Sequence, residues 1–338
     1  MSVLYNLLIP GLGIYFDQAT TPPVFNSPFL LPLLVLYILE GLQWILALAL
    51  VTPFWRTHRK YAMLHANLKR LNCMSIFHVL IFVCLRIMIF PYQLGWIPVT
   101  GSWYKDCVWI VAHLTRRYHI YFCYSIQLTS VIERLIATLF VRDYESNKRP
   151  YISVILALYV VTFSIGAAVT MNSAAAYPIG LIVMASHLGS TITIFTGVWA
   201  YNGHLERKLR LTTSDYSLPA RYQVKENLRS FKLLRNMILP GIPVALTCLC
   251  TGYISMRQPI EIYILIRALI DFLMTSSQVI SLVLGMYAMP EWKEAFFKAI
   301  RPCSAAPSQL SAPRTPPVIP PLADEGRVYF NQLRLSWQ

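Results

Sequence analysis

The sequence predicts an all-α fold: a seven-transmembrane helix bundle with the N-terminus outside and the C-terminus cytoplasmic. Three observations carry that expectation. The chain of 338 residues is 56% hydrophobic and 13% charged, against about 25% charged in an ordinary soluble domain, and its mean hydropathy is +0.51. One soluble core of this length cannot hide so much apolar surface, so lipid must be the solvent for much of it. Seven apolar runs approach or exceed the roughly 20 residues a helix needs to cross a hydrocarbon core. Lysine and arginine are shared very unequally between the connecting segments.

The first span is expected at 29–52, the second at 71–91, ended by Pro91, and the third at 118–140. The fourth covers 151–171 and the fifth 177–200. The sixth, 234–254, contains Pro240 and Pro243. Each proline removes a backbone donor and crowds the preceding turn, so this helix is expected to kink. The seventh covers 262–289 and stops before Pro290. An N-terminal segment, 1–28, precedes the bundle of 29–289. After it, Trp292, Phe296 and Ile300 recur at helical spacing beside Lys293 and Lys298, the pattern of a short amphipathic helix, 290–301, lying on the inner leaflet. Seven prolines within 302–321 make 302–338 a disordered or polyproline-like cytoplasmic tail.

Orientation follows from the cations. Segments 53–70, 141–150, 201–233 with Arg235, and the chain from 290 together hold 22 Lys and Arg. The opposite side holds four: Lys105, Arg116, Arg117 and Arg257. The excess marks the cytoplasmic face. A net charge of +14 does not imply a nucleic-acid partner, because the cations lie between apolar runs and not along one face. The start has no basic n-region, and Asp17 is its first charge, so the first span is expected to act as an uncleaved anchor. The run Arg221–Asn236 has no breaker and reads as a cytoplasmic extension of the sixth helix.

No catalytic constellation appears: there is no HExxH, GxSxG, Walker loop or strand-linked GxGxxG. The seven cysteines show no metal-ligand spacing and the histidines are scattered singly. Neither enzyme activity nor a cofactor or metal is expected. Charges inside the spans say more, because an ionised group in hydrocarbon is costly. Glu40 sits midway along the first helix. Arg86, about one turn from the outer end of the second, either snorkels to the interface or faces a cavity. Arg267 and Asp271, four apart on one face of the seventh helix, form either a structural ion pair or, with Arg86, the lining of an outward-facing ligand cavity. Glu133 and Arg134, near the inner end of the third helix, either lock the inner mouth of the bundle or form a plain interface pair.

The run Glu133–Glu145, ERLIATLFVRDYE, resembles a segment of the nematode serpentine receptors. Leu218–Arg229, LPARYQVKENLR, is similar to the third inner loop of their class e, the Sre family, and PEWKEAFF from Pro290 is similar to the segment after helix seven. The resemblance covers 29–301 in order and spacing. It implies a seven-helix G-protein-coupled chemoreceptor of sensory neurons, in the plasma membrane of sensory cilia. Its implied partners are a heterotrimeric G protein and an unknown small molecule. Residue by residue, it implies that Glu133, Arg134, Asp143, Tyr144, Arg221 and Lys225 form the coupling and switch face. The chain departs from the broad rhodopsin-like pattern. It lacks NPxxY in the seventh helix and CWxP in the sixth, and 172–176 holds no cysteine to pair with Cys107. Cys107 is therefore expected as a free thiol. The rival from another class is a transporter or channel with Arg86, Arg267 and Asp271 along a solute path. The broken-helix pairs and internal repeats common in transporters are not seen.

Overall fold

The computed structural model describes residues 2–9, 12–19, 29–60, 65–98, 100, 104–141, 144, 149–170, 176–211, 218–255, 258–288 and 290–300. Its described elements are two short strands and nine helices: β1 Ser2–Ile9, β2 Leu12–Ala19, α1 Leu30–Lys60, α2 Ala66–Gln93, α3 Cys107–Leu139, α4 Pro150–Thr170, α5 Tyr177–Leu211, α6 Leu218–Ile238, α7 Gly241–Ser255, α8 Ile260–Tyr287 and α9 Pro290–Ile300. The tail from 301 lies outside the described residues.

The strands are an addition to the all-helical expectation. They pair antiparallel, with Ser2 opposite Ala19 and Ile9 opposite Leu12. Two eight-residue runs rich in β-branched and aromatic residues flank the breaker Pro10-Gly11, which is a hairpin signal overlooked in favour of the longer apolar runs.

Among the described residues, six segments are long and apolar enough to cross a membrane, including Gln223–Ile254, which joins α6 and α7. α3 is the seventh. Its 33 residues extend about 50 Å at 1.5 Å per residue, well beyond a hydrocarbon core of about 30 Å. Arg116, Arg117, Glu133 and Arg134 make it less apolar, and its position explains how it carries them: it packs against α2, α4, α5 and α6 and is the central helix. The outer faces of its neighbours supply the lipid contact. Leu31, Ile38 and Ile45 of α1, Ile155 and Leu158 of α4, and Ile182 of α5 are all more than half exposed, an apolar surface that water would not tolerate.

α1 and α3 outlast the expected spans because an inward face continues past the apolar run. α1 runs through Pro53, and Phe54, Thr57 and His58 are buried beyond it. α3 begins at Cys107, eleven residues before the expected 118, and Trp109, Ala112, His113 and Arg116 recur inward at helical spacing. The sixth span is interrupted at Leu239–Pro240, at the first of the two prolines expected to kink it. Gly241 follows the break. A Cβ there would lie 3.1 Å from the Gln127 amide nitrogen of α3, so glycine permits the close approach. α2 passes Pro91 and ends in a Schellman cap, with Trp96 N–H donating to the Pro91 carbonyl and Gly95 N–H to that of Tyr92. Gly95 supplies the required positive φ of 75°.

α9 docks on protein. Trp292 is fully buried and Phe296 nearly so, both in the main core cluster. The Trp292 ring meets Phe54 edge-on at 5.7 Å and lies 5.4 Å from His58. Gly285 makes room for Phe54, since a Cβ would come within 3.0 Å of that ring. The face expected to lie on the inner leaflet is thus turned onto α1 and α8. Trp292→Ala is expected to cost about 3–5 kcal/mol and to lower Tm in detergent. Phe297→Ala, on the exposed face, should change it little. Equal Tm for wild type and Trp292→Ala would refute the docking.

Candidate functional site: two buried networks and a cleft

The spans bury two separate polar networks, one near each end of α3. The first joins four helices. Arg86 of α2 is fully buried and donates through Nε and Nη2 to both Glu40 oxygens of α1, at 2.8 and 2.9 Å. Its Nη1 lies 3.1 Å from Asp271 Oδ2 of α8, an ion contact without hydrogen-bond alignment. Asp271 also accepts from Arg116 of α3, through Nε at 2.7 Å and through Nη2. The order Glu40–Arg86–Asp271–Arg116 alternates in charge, as ionised groups in a low-dielectric interior must.

Two expectations need correction. Arg86 does not snorkel: it is sealed in the bundle, because acids on α1 and α8 both reach it. Arg267 and Asp271 do not serve each other either. Asp271 faces α2 and α3. Arg267 turns the other way, donating to Tyr263 Oη at 2.8 Å and to the His113 ring at 3.1 Å. Arg116 and His113 were missed because the third span was started at 118. A signal did exist: Arg116 and Arg134 are 18 residues apart, five turns at about 3.6 residues per turn, and so share a face.

A cleft of about 100 Å³ opens beside this network between α3, α5, α7 and α8. Arg116, Arg117 and Arg267 line it together with Tyr121, Tyr124 and Tyr263. Of the three residues expected to line a ligand cavity, Arg267 does, whereas Arg86 and Asp271 stand behind the wall. Tyr124 also donates to the Ala245 carbonyl of α7 at 3.1 Å, one turn past the Pro240 break.

The second network surrounds Glu133 and Arg134, both fully buried. Arg134 donates through Nε and Nη2 to the two Glu133 oxygens at 2.5 and 2.6 Å. Its Nη1 reaches α6, 3.2 Å from Asn227 Oδ1 and 3.3 Å from Ser230 Oγ. Tyr144 donates to Glu133 Oε1 at 2.8 Å and accepts from Asn67 of α2 at 3.1 Å. Burial first, then the Glu133 charge, hold the Tyr144 phenol above its ordinary pKa, so it remains a neutral donor. Asn202 of α5 and Asn227 of α6 both donate to Thr138 of α3. The network around the pair therefore ties α3 to α2, α5 and α6.

Of the other sequence candidates, Lys225 is exposed on α6 and Arg221 lies at the end of the first turn of that helix. Asp143 lies outside the described residues. Cys107 is a free, exposed thiol at the start of α3. Asn67, Asn202, Asn227 and Ser230 were not anticipated. They lie in or beside basic stretches of the sequence, where a polar residue reads as an ordinary solvated position.

Six spanning helices around a charged central seventh, with a cleft near one end and a closed ionic network near the other, define a polytopic integral membrane protein of the seven-helix class. Residues 15–338 match the family described as Sre G protein-coupled chemoreceptor, and the chain belongs to that family. It is 26% identical to serpentine receptor class epsilon-38 of Caenorhabditis elegans over 84% of this chain and 86% of the relative. It is 23% identical to class epsilon-37 of the same organism, over 81% and 83%. Class epsilon-45 is 30% identical over a shorter stretch, 36% of this chain and 33% of the relative.

Proposed function

We propose that the chain is a chemosensory receptor that takes a small molecule from the outer side into the α3/α5/α7/α8 cleft and activates a heterotrimeric G protein at the opposite face. The observation that carries this reading is that α3 joins both sites. Arg116 and Tyr124 line the cleft, and Arg134, farther along the same helix, holds α6 through Asn227 and Ser230. Tyr124 grips α7 just beyond the Leu239–Pro240 break. A ligand that displaces Tyr124 or rotates α3 changes the α6–α7 angle, and α6 leaves Arg134. Arg134, Asp143, Tyr144, Arg221 and Lys225 then make the coupling face, with the N-terminus outside and the C-terminus in the cytoplasm. Family membership favours this over a solute path. The setting is the plasma membrane of sensory cilia.

Membranes bearing the receptor should speed GTPγS uptake by added heterotrimeric G protein above receptor-free membranes. Equal rates with every G protein class tested would sink the reading. Topology has its own expected result, resting on the 22-to-4 cation split. Tags at the N-terminus and after Pro302 should be reached by antibody from opposite faces of the membrane. Both tags on one face would contradict seven spans.

A further inference from the structure

We infer that a groove between the facing ends of α1 and α2 holds the headgroup of an anionic phospholipid that carries phosphate monoesters. The groove is separate from the α3/α5/α7/α8 cleft and does not depend on what that cleft binds. Trp55 and Arg59 of α1 and Ala66, Lys69, Arg70 and Cys73 of α2 line it, and its volume is about 580 Å³. Among the described residues the lining carries three cations and no carboxylate. Their partners are neutral. Arg59 is exposed, and its guanidinium carbon lies 6.0 Å from the Trp55 ring centre, a contact with the face of the group that leaves its N–H edge for an anion. Lys69 donates to the Arg59 carbonyl at 3.4 Å, which brings the two helices' cations to one groove. Arg70 donates to Ser153 Oγ of α4 at 3.1 Å and to Asn67 Oδ1 at 3.4 Å.

The first turn of α2 holds no acid. Lys69 and Arg70 therefore follow a helix N-terminus that already carries partial positive charge. An anion relieves the repulsion among these groups, and a phosphate accepts from a guanidinium fork at two oxygens. Three cations call for a headgroup with more charge than one phosphodiester. The walls indicate where the anion comes from. Leu48 precedes Trp55 on α1 by seven residues, and Phe77 follows Arg70 on α2 by seven, so each stands two turns along the same face. They are 42% and 59% exposed, on spans whose outer faces meet lipid. The groove is thus continuous with bilayer-facing apolar surface, where the acyl chains of a bound lipid lie, and Trp55 sits at headgroup level. This end of the bundle is the cation-rich one, and anionic lipids of the cytoplasmic leaflet are drawn to basic pockets between spans.

Full-length receptor purified in detergent tests the site, titrated with dioctanoyl phosphatidylinositol bisphosphate and read by Tm. Binding to the folded state raises Tm, and neither a chemosensory ligand nor a G protein is needed, so the result stands apart from the coupling assay. The bisphosphate lipid should raise Tm at concentrations where dioctanoyl phosphatidylcholine does not. The Arg59→Gln, Lys69→Gln double variant should move the half-effect concentration up about tenfold or more, as expected for two cations near a headgroup. Arg59→Gln alone, at an exposed position, should move it severalfold and keeps the test readable if the double variant folds poorly. Lys298→Gln, on the exposed face of α9, should leave it unchanged. Free inositol trisphosphate distinguishes the source: a shift that needs much more of it than of the lipid supports capture from the bilayer, and equal potency overturns the lipid as occupant. A short polyglutamate peptide as potent as the lipid would make the groove a protein contact instead. The inference is also overturned if the bisphosphate lipid leaves Tm unchanged, if phosphatidylcholine acts equally, if both groove variants keep the full effect, or if Lys298→Gln weakens it as much as they do.

Discussion

Asp271→Asn is expected to remove most of the receptor from the cell surface. Asp271 is the only acid of the first network that touches two arginines, Arg86 and Arg116. Without its charge, Arg86 keeps Glu40, while Arg116 loses the carboxylate that holds it at two nitrogens. Leaving one member of a buried pair uncompensated costs about 3–5 kcal/mol. Total stabilities are about 5–15 kcal/mol, and each 1.4 kcal/mol or so is tenfold in the folded ratio. The loss is therefore about two to four orders of magnitude in that ratio, and quality control removes what does not fold. Surface labelling and Tm in detergent measure it. Adding Arg116→Gln removes the stranded charge, because a neutralised pair is far cheaper than a broken one, so the double variant should regain much of the surface signal. Wild-type surface density and Tm for Asp271→Asn alone would show that the network bears no structural role.

The legibility of this arrangement in the sequence divides along physical lines. Span number followed from apolar runs because desolvation in lipid leaves no other way to bury them. Cation asymmetry likewise needed no structure. Glu40, Arg86, Asp271 and Arg267 stood out because a charge in an apolar run demands an explanation. Their pairing was not legible: spacing along α8 proposed Arg267 for Asp271, whereas the partners came from α2 and α3, 185 and 155 residues away. Sequence periodicity describes one helix at a time, and these contacts are between helices. Arg116 was lost to a boundary for a related reason. A central helix surrounded by other helices need not be apolar, so a hydropathy reading ends it early. The acid–base pair on α3 was visible, but its neutral anchors Asn227 and Ser230 were not, because Asn and Ser in a basic helix look like ordinary solvated positions. α9 was legible as an amphipathic helix, and only packing could show that Trp292 faces Phe54 and not lipid.

Glu133→Gln is expected to raise basal signalling about tenfold, and adding Arg134→Ala is expected to abolish the gain. In the closed bundle Arg134 is fully buried, with Glu133 as its carboxylate and Asn227 and Ser230 of α6 as further acceptors. Glu133 is itself held by Tyr144, which Asn67 orients. Glutamine keeps the size and loses the charge, so the closed state must hold a guanidinium with neutral partners only. That penalty falls on the closed state. When α6 moves away at the Leu239–Pro240 break, Arg134 meets water and the penalty is relieved. A charged hydrogen bond is worth about 1.5–3 kcal/mol, and a differential of about 1.4 kcal/mol already shifts the open-to-closed ratio tenfold. The basal rate of GTPγS uptake per surface receptor reads this without a ligand. Arg134→Ala alone strands a buried Glu133 and confounds folding with signalling. The Glu133→Gln, Arg134→Ala double variant has no stranded charge. It should reach the surface and stay at or below wild-type basal uptake, because the group proposed to face the G protein is gone. A double variant at normal surface density that still shows the raised uptake would mean that Arg134 takes no part in coupling and that the pair only holds the bundle.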